Sequence, residues 1–121
     1  MGTITTSFAF NLTNGDHVEQ ISVTQFTDEQ TGVGAHKPIV EVGTTEEVVS
    51  FGDVTTAKWL FVRNLDATNF IEIGPESGGA MVVLAKLEPG EWGFVPISST
   101  VTLRAKADTA ACKMLMLVTE A

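Results

Sequence analysis

The chain has very little cysteine: Cys112 is the only one among 121 residues, so no disulfide can form within the chain. The fold must therefore be stabilised by its hydrophobic core, and synthesis in a reducing cytoplasm is the expected setting. Cys112 lies within the apolar run 110–118. We expect it to be a small buried hydrophobic residue rather than a nucleophile.

Basic residues are also scarce, because seven lysines and arginines stand against fifteen carboxylates, which gives a net charge of −8. A nucleic-acid partner would require a basic face that neutralises phosphates, so the sequence predicts none. No apolar run approaches the roughly 20 residues of a membrane-spanning helix. The N-terminus lacks the basic and apolar segments of a secretory signal, and we expect no membrane partner.

The charge is unevenly distributed along the chain. Residues 1–57 carry eight carboxylates against Lys37 alone, whereas residues 58–121 carry seven carboxylates against six basic residues. An acidic patch on one copy could meet a basic patch on a neighbouring copy. An uneven, solvated surface explains the charges equally simply and is the favoured interpretation.

A sustained helical period is absent as well. Short runs rich in β-branched and aromatic residues instead alternate with turn residues, and 44% of the residues are hydrophobic. The pattern predicts an all-β fold: a single antiparallel β-sandwich over residues 1–121, jelly-roll-like, with about nine or ten short strands.

The first two predicted strands form a hairpin. Residues 3–12 and 17–26 flank Asn14-Gly15-Asp16, which is a strong turn signal. The first strand contains Ile4 and Phe8, and we expect one of two roles for it. It is either an N-terminal arm that adds a strand to a neighbouring subunit, or an edge strand of its own sandwich. The edge strand is slightly favoured.

The polar, glycine-bearing segment 27–36 follows and predicts a long mobile loop. Because loops often carry binding residues, it supplies candidate interaction residues: Thr27, Asp28, Glu29, Gln30 and His36.

The segment 57–74 predicts a second hairpin, with strands at 57–64 and 69–74. We expect the side chains of Asn64 and Asp66 to bond nearby backbone amides in the turn between them. Further strands are expected at residues 38–43, 47–51, 81–86, 92–97, 101–107 and 112–119, with a flexible loop at 75–79 and a turn at Pro89-Gly90.

The last two strands differ in character. The strand at 101–107 alternates cleanly, so Arg104 and Lys106 should face away from the core. The strand at 112–119 is apolar on both faces, with Leu115 and Leu117 on the second face. Such a strand is either central and covered or part of a subunit interface. Further candidate interaction residues on the last two strands are Arg104, Lys106, Leu115 and Leu117.

The sequence offers little catalytic chemistry. His17 and His36 belong to no paired metal-binding motif, no Gly-x-Ser-x-Gly elbow occurs, and the glycines do not match a phosphate-binding fingerprint. Trp59 and Trp92 lie in apolar strands and are expected in the core rather than in a sugar site. We expect no catalytic residue, no cofactor and no metal.

Several motifs follow one another along the second part of the chain: Gly43-Thr44-Thr45-Glu46-Glu47, Trp59–Val62, Asn64-Leu65-Asp66, Phe70–Gly74, Pro89-Gly90-Glu91 and the segment Ala105–Cys112. In this order they resemble a group of small tailed-bacteriophage virion proteins over roughly residues 43–118. The resemblance implies a non-enzymatic virion component, assembled in the host cytoplasm, with no catalytic residues.

From this resemblance we expect a capsid decoration or cement protein that bridges capsid subunits. Its partners would be further copies of itself, in a homo-oligomer such as a trimer, and the major capsid protein or other virion proteins. The alternatives are a tail or fibre component and a jelly-roll module that binds a glycan or receptor through an exposed tryptophan. A metal-dependent enzyme would require His17 and His36 to reach one ion.

Overall fold

The computed structural model describes residues 2–32 and 34–121, and these residues form an all-β structure, as predicted. They contain no helix that could cross a membrane. The strands of the described residues are β1 (Gly2–Asn14), β2 (His17–Gln30), β3 (Ala35–His36), β4 (Ile39–Val42), β5 (Glu47–Val48), β6 (Ala57–Asn64), β7 (Ile71–Ser77), β8 (Ala80–Met81), β9 (Ala85–Leu87), β10 (Trp92–Pro96), β11 (Leu103–Ala107) and β12 (Cys112–Glu120).

The chain divides into two compact units, residues 1–33 and residues 34–121. The first unit holds a two-stranded antiparallel sheet of β1 and β2, which we call the ribbon. Within the described residues, β1 pairs with β2 alone. The favoured expectation that β1 is an edge strand of the sandwich is therefore wrong.

The ribbon is longer than the predicted hairpin. Its turn lies at the predicted position, where Gly15 has a φ of 59°, and its far end pairs Gly2 with Gln30. Residues 27–30 are thus strand rather than loop, because backbone hydrogen bonding to β1 does not require apolar side chains. The rest of the predicted loop includes Val33, which lies outside the described residues, and β3.

The second unit contains two antiparallel five-stranded sheets. The β12 sheet has the order β10-β6-β12-β3, with β4 also paired to β12; the β11 sheet has the order β5-β11-β7-β8, with β9 also paired to β7. Side chains from both sheets form one buried cluster, so the unit is sandwich-like. The cluster includes Leu60, Val62, Ile71, Ile73, Leu103, Ala105, Met114, Met116 and Val118.

The strand periodicity explains which side chains enter this core. On β11, Leu103, Ala105 and Ala107 are buried while Arg104 and Lys106 face outward, which confirms the predicted alternation. Strand β12 lies between β6 on one side and β3 and β4 on the other, so it is central in its sheet, which is one of the two alternatives that its apolar faces left open.

The predicted hairpin at residues 57–74 is wrong. Strand β6 pairs with β10 and β12, whereas β7 pairs with β11, β8 and β9, so the segment 65–70 carries the chain from one sheet to the other. Asn64 fixes this corner. Its side chain is fully buried, and its Nδ2 donates hydrogen bonds to the carbonyl oxygens of Asn69 (2.9 Å) and Leu87 (3.0 Å).

The turn chemistry at the corner is as predicted. Asn64 Oδ1 accepts a hydrogen bond from the Asp66 amide at 2.9 Å, and Asp66 Oδ2 accepts from the amides of Asn69 (2.7 Å) and Thr68 (3.0 Å). These amide bonds, from Asn69 first and then Thr68, stabilise the carboxylate and lower the pKa of Asp66 below its usual value. Both side chains therefore have a structural role.

Strand β7 extends through Ser77, so the predicted loop at 75–79 is reduced to a turn at Gly78 and Gly79. Residues 82–84 run alongside β7: the Val82 amide donates to Pro75 O at 2.8 Å and the Leu84 amide to Ile73 O at 2.9 Å. Gly74 permits this approach, because a Cβ there would lie 1.9 Å from Val82 O.

Candidate assembly surfaces

The ribbon has one apolar face and one polar face. Its register places Phe8 opposite Val23 and Phe10 opposite Ile21. Directly opposed residues of an antiparallel pair share a face, so these four side chains lie together. The intervening pairs, such as Ala9 with Ser22 and Asn11 with Gln20, form the other face.

An irregularity in β2 enlarges the apolar face. Phe26 pairs with Thr6 and Val23 pairs with Phe8, so three residue steps in β2 match two steps in β1. This is a β-bulge, and it shifts the alternation of side chains in β2 by one position. Phe26 consequently joins Val23 on the apolar face, although the two residues are three positions apart and would lie on opposite faces of a regular strand.

The apolar side chains of the ribbon are exposed: Phe8 by 44%, Phe10 by 48%, Leu12 by 40%, Ile21 by 59% and Val23 by 45%. Residues 1–33 carry four carboxylates and no lysine or arginine. The ribbon therefore combines an acidic composition with an apolar face that water would normally disfavour.

The candidate residues of the N-terminal part lie on both faces of the ribbon. Ile4 is opposite Asp28 and continues the apolar face at its open end, next to the pair of Thr6 and Phe26. Thr27 and Glu29 are opposite Thr5 and Thr3 on the polar face, and Gln30 is opposite Gly2.

The second surface is the outer side of the β12 sheet. Leu60 and Val62 of β6 point into the core, so the alternate residues of β6 and their cross-strand partners point outward. Cross-strand rows of this face join Phe94, Phe61 and Leu117, and Trp92, Arg63 and Leu115. We call this surface the aromatic face; it comprises Trp59, Phe61, Trp92, Phe94, Leu115 and Leu117.

Aromatic stacking organises this face. The ring centroids of Trp59 and Phe94 lie 5.2 Å apart with an interplanar angle of 9°, and those of Phe61 and Trp92 lie 6.0 Å apart. Trp59 is buried, as predicted, but Trp92 is 54% exposed. The predicted core position of Trp92 is wrong because its register opposite Arg63 turns it to the outer face.

The remaining candidate residues lie apart from both surfaces. Arg104 is held between two carboxylates: its Nε donates to Glu76 Oε1 at 2.9 Å and its Nη1 lies 3.4 Å from Glu46 Oε1. Lys106 is exposed on β11 opposite Glu72, and His36 is half-buried on β3 opposite Val118. Arg104 thus serves the fold, by joining β11 to β7 and to the segment before β5.

A cavity of about 400 Å³ lies between the sheets of residues 34–121. Its described lining is almost entirely apolar and contains no titratable side chain; Ser98 supplies the one side-chain hydroxyl. Such a lining offers no titratable side chain that could act as a general acid or base.

Across residues 2–32 and 34–121, no three His, Cys, Asp or Glu side chains converge as a metal site would require. Cys112 is buried, and burial, ahead of the charges of Asp66 and Asp108, raises the pKa of its thiol. A buried thiol held in its neutral form is a poor nucleophile, in keeping with its place in the core.

Sequence reasoning missed several exposed members of the two surfaces. Phe10, Ile21, Trp92 and Phe94 were not candidate residues, although the alternation of β1 and β2 would have grouped Phe10 with Phe8. The position of Trp92 could not be found in this way, because it depends on pairing with a strand 29 residues earlier, from Arg63 to Trp92.

Comparison with protein-family models, curated proteins and solved structures finds no match to this chain. The features of the chain that bear on its function are therefore the two surfaces and the motifs of residues 43–118.

Proposed function

We propose that this chain is a non-enzymatic structural protein of a phage virion: a capsid decoration or cement protein that bridges capsid subunits as a homo-oligomer. Assembly in the host cytoplasm and a jelly-roll-like topology of residues 34–121 belong to the same proposal. The resemblance of residues 43–118 to tailed-phage virion proteins supplies the biological context.

The aromatic face is the observation that carries the proposal. Trp92 and Phe94 are 54% and 40% exposed on an otherwise acidic chain, and both stack on aromatic side chains of β6. Exposed aromatic clusters are typical of protein–protein interfaces, in which tryptophan is enriched among the residues that contribute most to affinity. Exposed apolar surface of this kind suits a protein that binds other proteins.

Binding to particles tests the proposal. Purified chain should co-sediment with capsids that lack it, and Trp92→Asp should weaken this binding by at least about tenfold, since it places a charge in an apolar contact. Ser99→Asp, which adds the same single charge at an exposed turn position, is the matched control and should bind normally. Failure of the unaltered chain to bind capsids would contradict decoration, and density in the tail of a virion reconstruction would support a tail or fibre component instead.

The exposure of Trp92 also favours a second candidate, a glycan- or receptor-binding module, because an exposed indole can stack on a sugar ring. This candidate predicts a saturable change in tryptophan fluorescence on titration with the glycan. The change should disappear in Trp92→Leu. A fluorescence signal that no saccharide alters would remove the candidate.

A further inference from the structure

We propose that the ribbon is the self-association element of this protein, and that its apolar face packs against the same face of a second copy of the chain. This inference rests on the proposed role as a self-assembling protein and names the partner of one surface.

The ribbon is a two-stranded sheet, which is an intrinsically weak structure. An isolated hairpin is at best marginally stable in water, and independent stability requires more strands or a packed apolar face. The ribbon pairs residues from Gly2–Gln30 to Asn14–His17 in one continuous two-stranded sheet, yet its large apolar side chains remain exposed. A second layer against that face would provide the missing core.

The exposed apolar area of the ribbon is compatible with a contact between two copies. A buried aromatic side chain covers about 150–250 Å², so Phe8, Phe10, Leu12, Ile21 and Val23, each about half exposed, leave roughly 500 Å² of surface per copy. Two such faces together bury roughly 1,000 Å², which reaches the lower limit for a specific interface. A twofold pair is self-complementary, since the same face serves both copies.

Sedimentation of matched variants of the full chain tests the pairing. Ile21→Asp places a charge at the centre of the apolar face, at a side chain that is 59% exposed, so folding should be retained. Ser22→Asp adds the same charge on the polar face of the same strand. We expect the unaltered chain and Ser22→Asp to associate, and Ile21→Asp to require at least about tenfold more protein to do so.

An unaltered chain that is monomeric at about 100 μM, or an Ile21→Asp variant that associates normally, would overturn the inference. A urea midpoint and a circular-dichroism spectrum unchanged in Ile21→Asp would show that the loss of association is not a loss of folding. The capsid experiment distinguishes this inference from the proposed function. If self-association depends on Ile21 but the chain does not bind capsids, only the proposed function is contradicted. If the chain binds capsids but its self-association is unchanged in Ile21→Asp, only this inference is contradicted.

Discussion

Residues 34–121 bury many of their apolar side chains in a core, whereas in the ribbon none of the large apolar side chains reaches a core. Every buried apolar residue of the described chain lies between Val42 and Val118. Both regions have the alternating pattern of β-strands, so alternation predicts which side chains share a face. It does not predict whether that face is covered by the same chain or by another.

The comparison implies that the folding stability of a single copy resides in residues 34–121. A substitution in the ribbon should then change association, and a substitution in the second unit should change the free energy of unfolding. Three substitutions in the second unit should lower the free energy of unfolding, by amounts that decrease from Asn64 to Gly74 to Asp66.

Asn64→Leu should have the largest effect. It removes the donor to two carbonyl oxygens, of which Leu87 O is buried, and such unsatisfied groups cost about 1–3 kcal/mol each. We expect the free energy of unfolding to fall by about 3 kcal/mol in urea titrations. Asn11→Leu, the same change on the polar face of the ribbon, is the control and should alter the free energy of unfolding by less than about 0.5 kcal/mol. Equal losses in both variants would contradict the conclusion that the stability of a single copy resides in residues 34–121.

Gly74→Ala should come next. The added Cβ would lie 1.9 Å from Val82 O, which is backbone and cannot rotate away. Displacing the segment 82–84 should cost about 2 kcal/mol in the free energy of unfolding. Gly43→Ala is the control, since the nearest atom to its new Cβ is 3.7 Å away. A Gly74→Ala protein with an unchanged urea midpoint would show that this part of β7 yields more readily than its packing suggests.

Asp66→Asn should have the smallest effect, and one that depends on pH. The amides of Asn69 and Thr68 lower the pKa of Asp66 in the folded state below the usual value of 3.8. The stabilisation is therefore fully present above pH 3.8 and is lost as the pH falls through the folded-state pKa. Asp66→Asn should be less stable than the unaltered protein at pH 7, and the difference should narrow in acid. A difference that stays constant down to pH 2 would contradict this assignment.

The local structure at the corner after β6 could be predicted from the sequence, whereas its topological consequence could not. Asn64 and Asp66 bond neighbouring amides as their residue types indicated. The same bonds fit either a hairpin turn or a passage between sheets. The choice is made by β10 and β12, which occupy both edges of β6 and leave no edge for β7.

The two surfaces show the same limit. The alternation around Ile4 and Phe8 indicated strand, and both lie in β1. The polar residues 27–30 were expected in a loop, because composition does not reveal that Gly2–Thr5 would pair with them. Trp92 was expected in the core because it lies in an apolar strand. The sequence alone does not fix the register of that strand, and a change of register by one residue exchanges its two faces.

The central position of β12 has a consequence for the order of folding. Its partners β3, β4 and β6 all precede it by many residues, and pairings between distant segments form slowly. The ribbon, by contrast, closes a two-residue turn, and hairpins of this kind form within about 1–10 μs. During synthesis the ribbon can therefore be complete while β4 and β6 still expose unpaired edges. Folding of the second unit should be rate-limited by the arrival of residues 112–120.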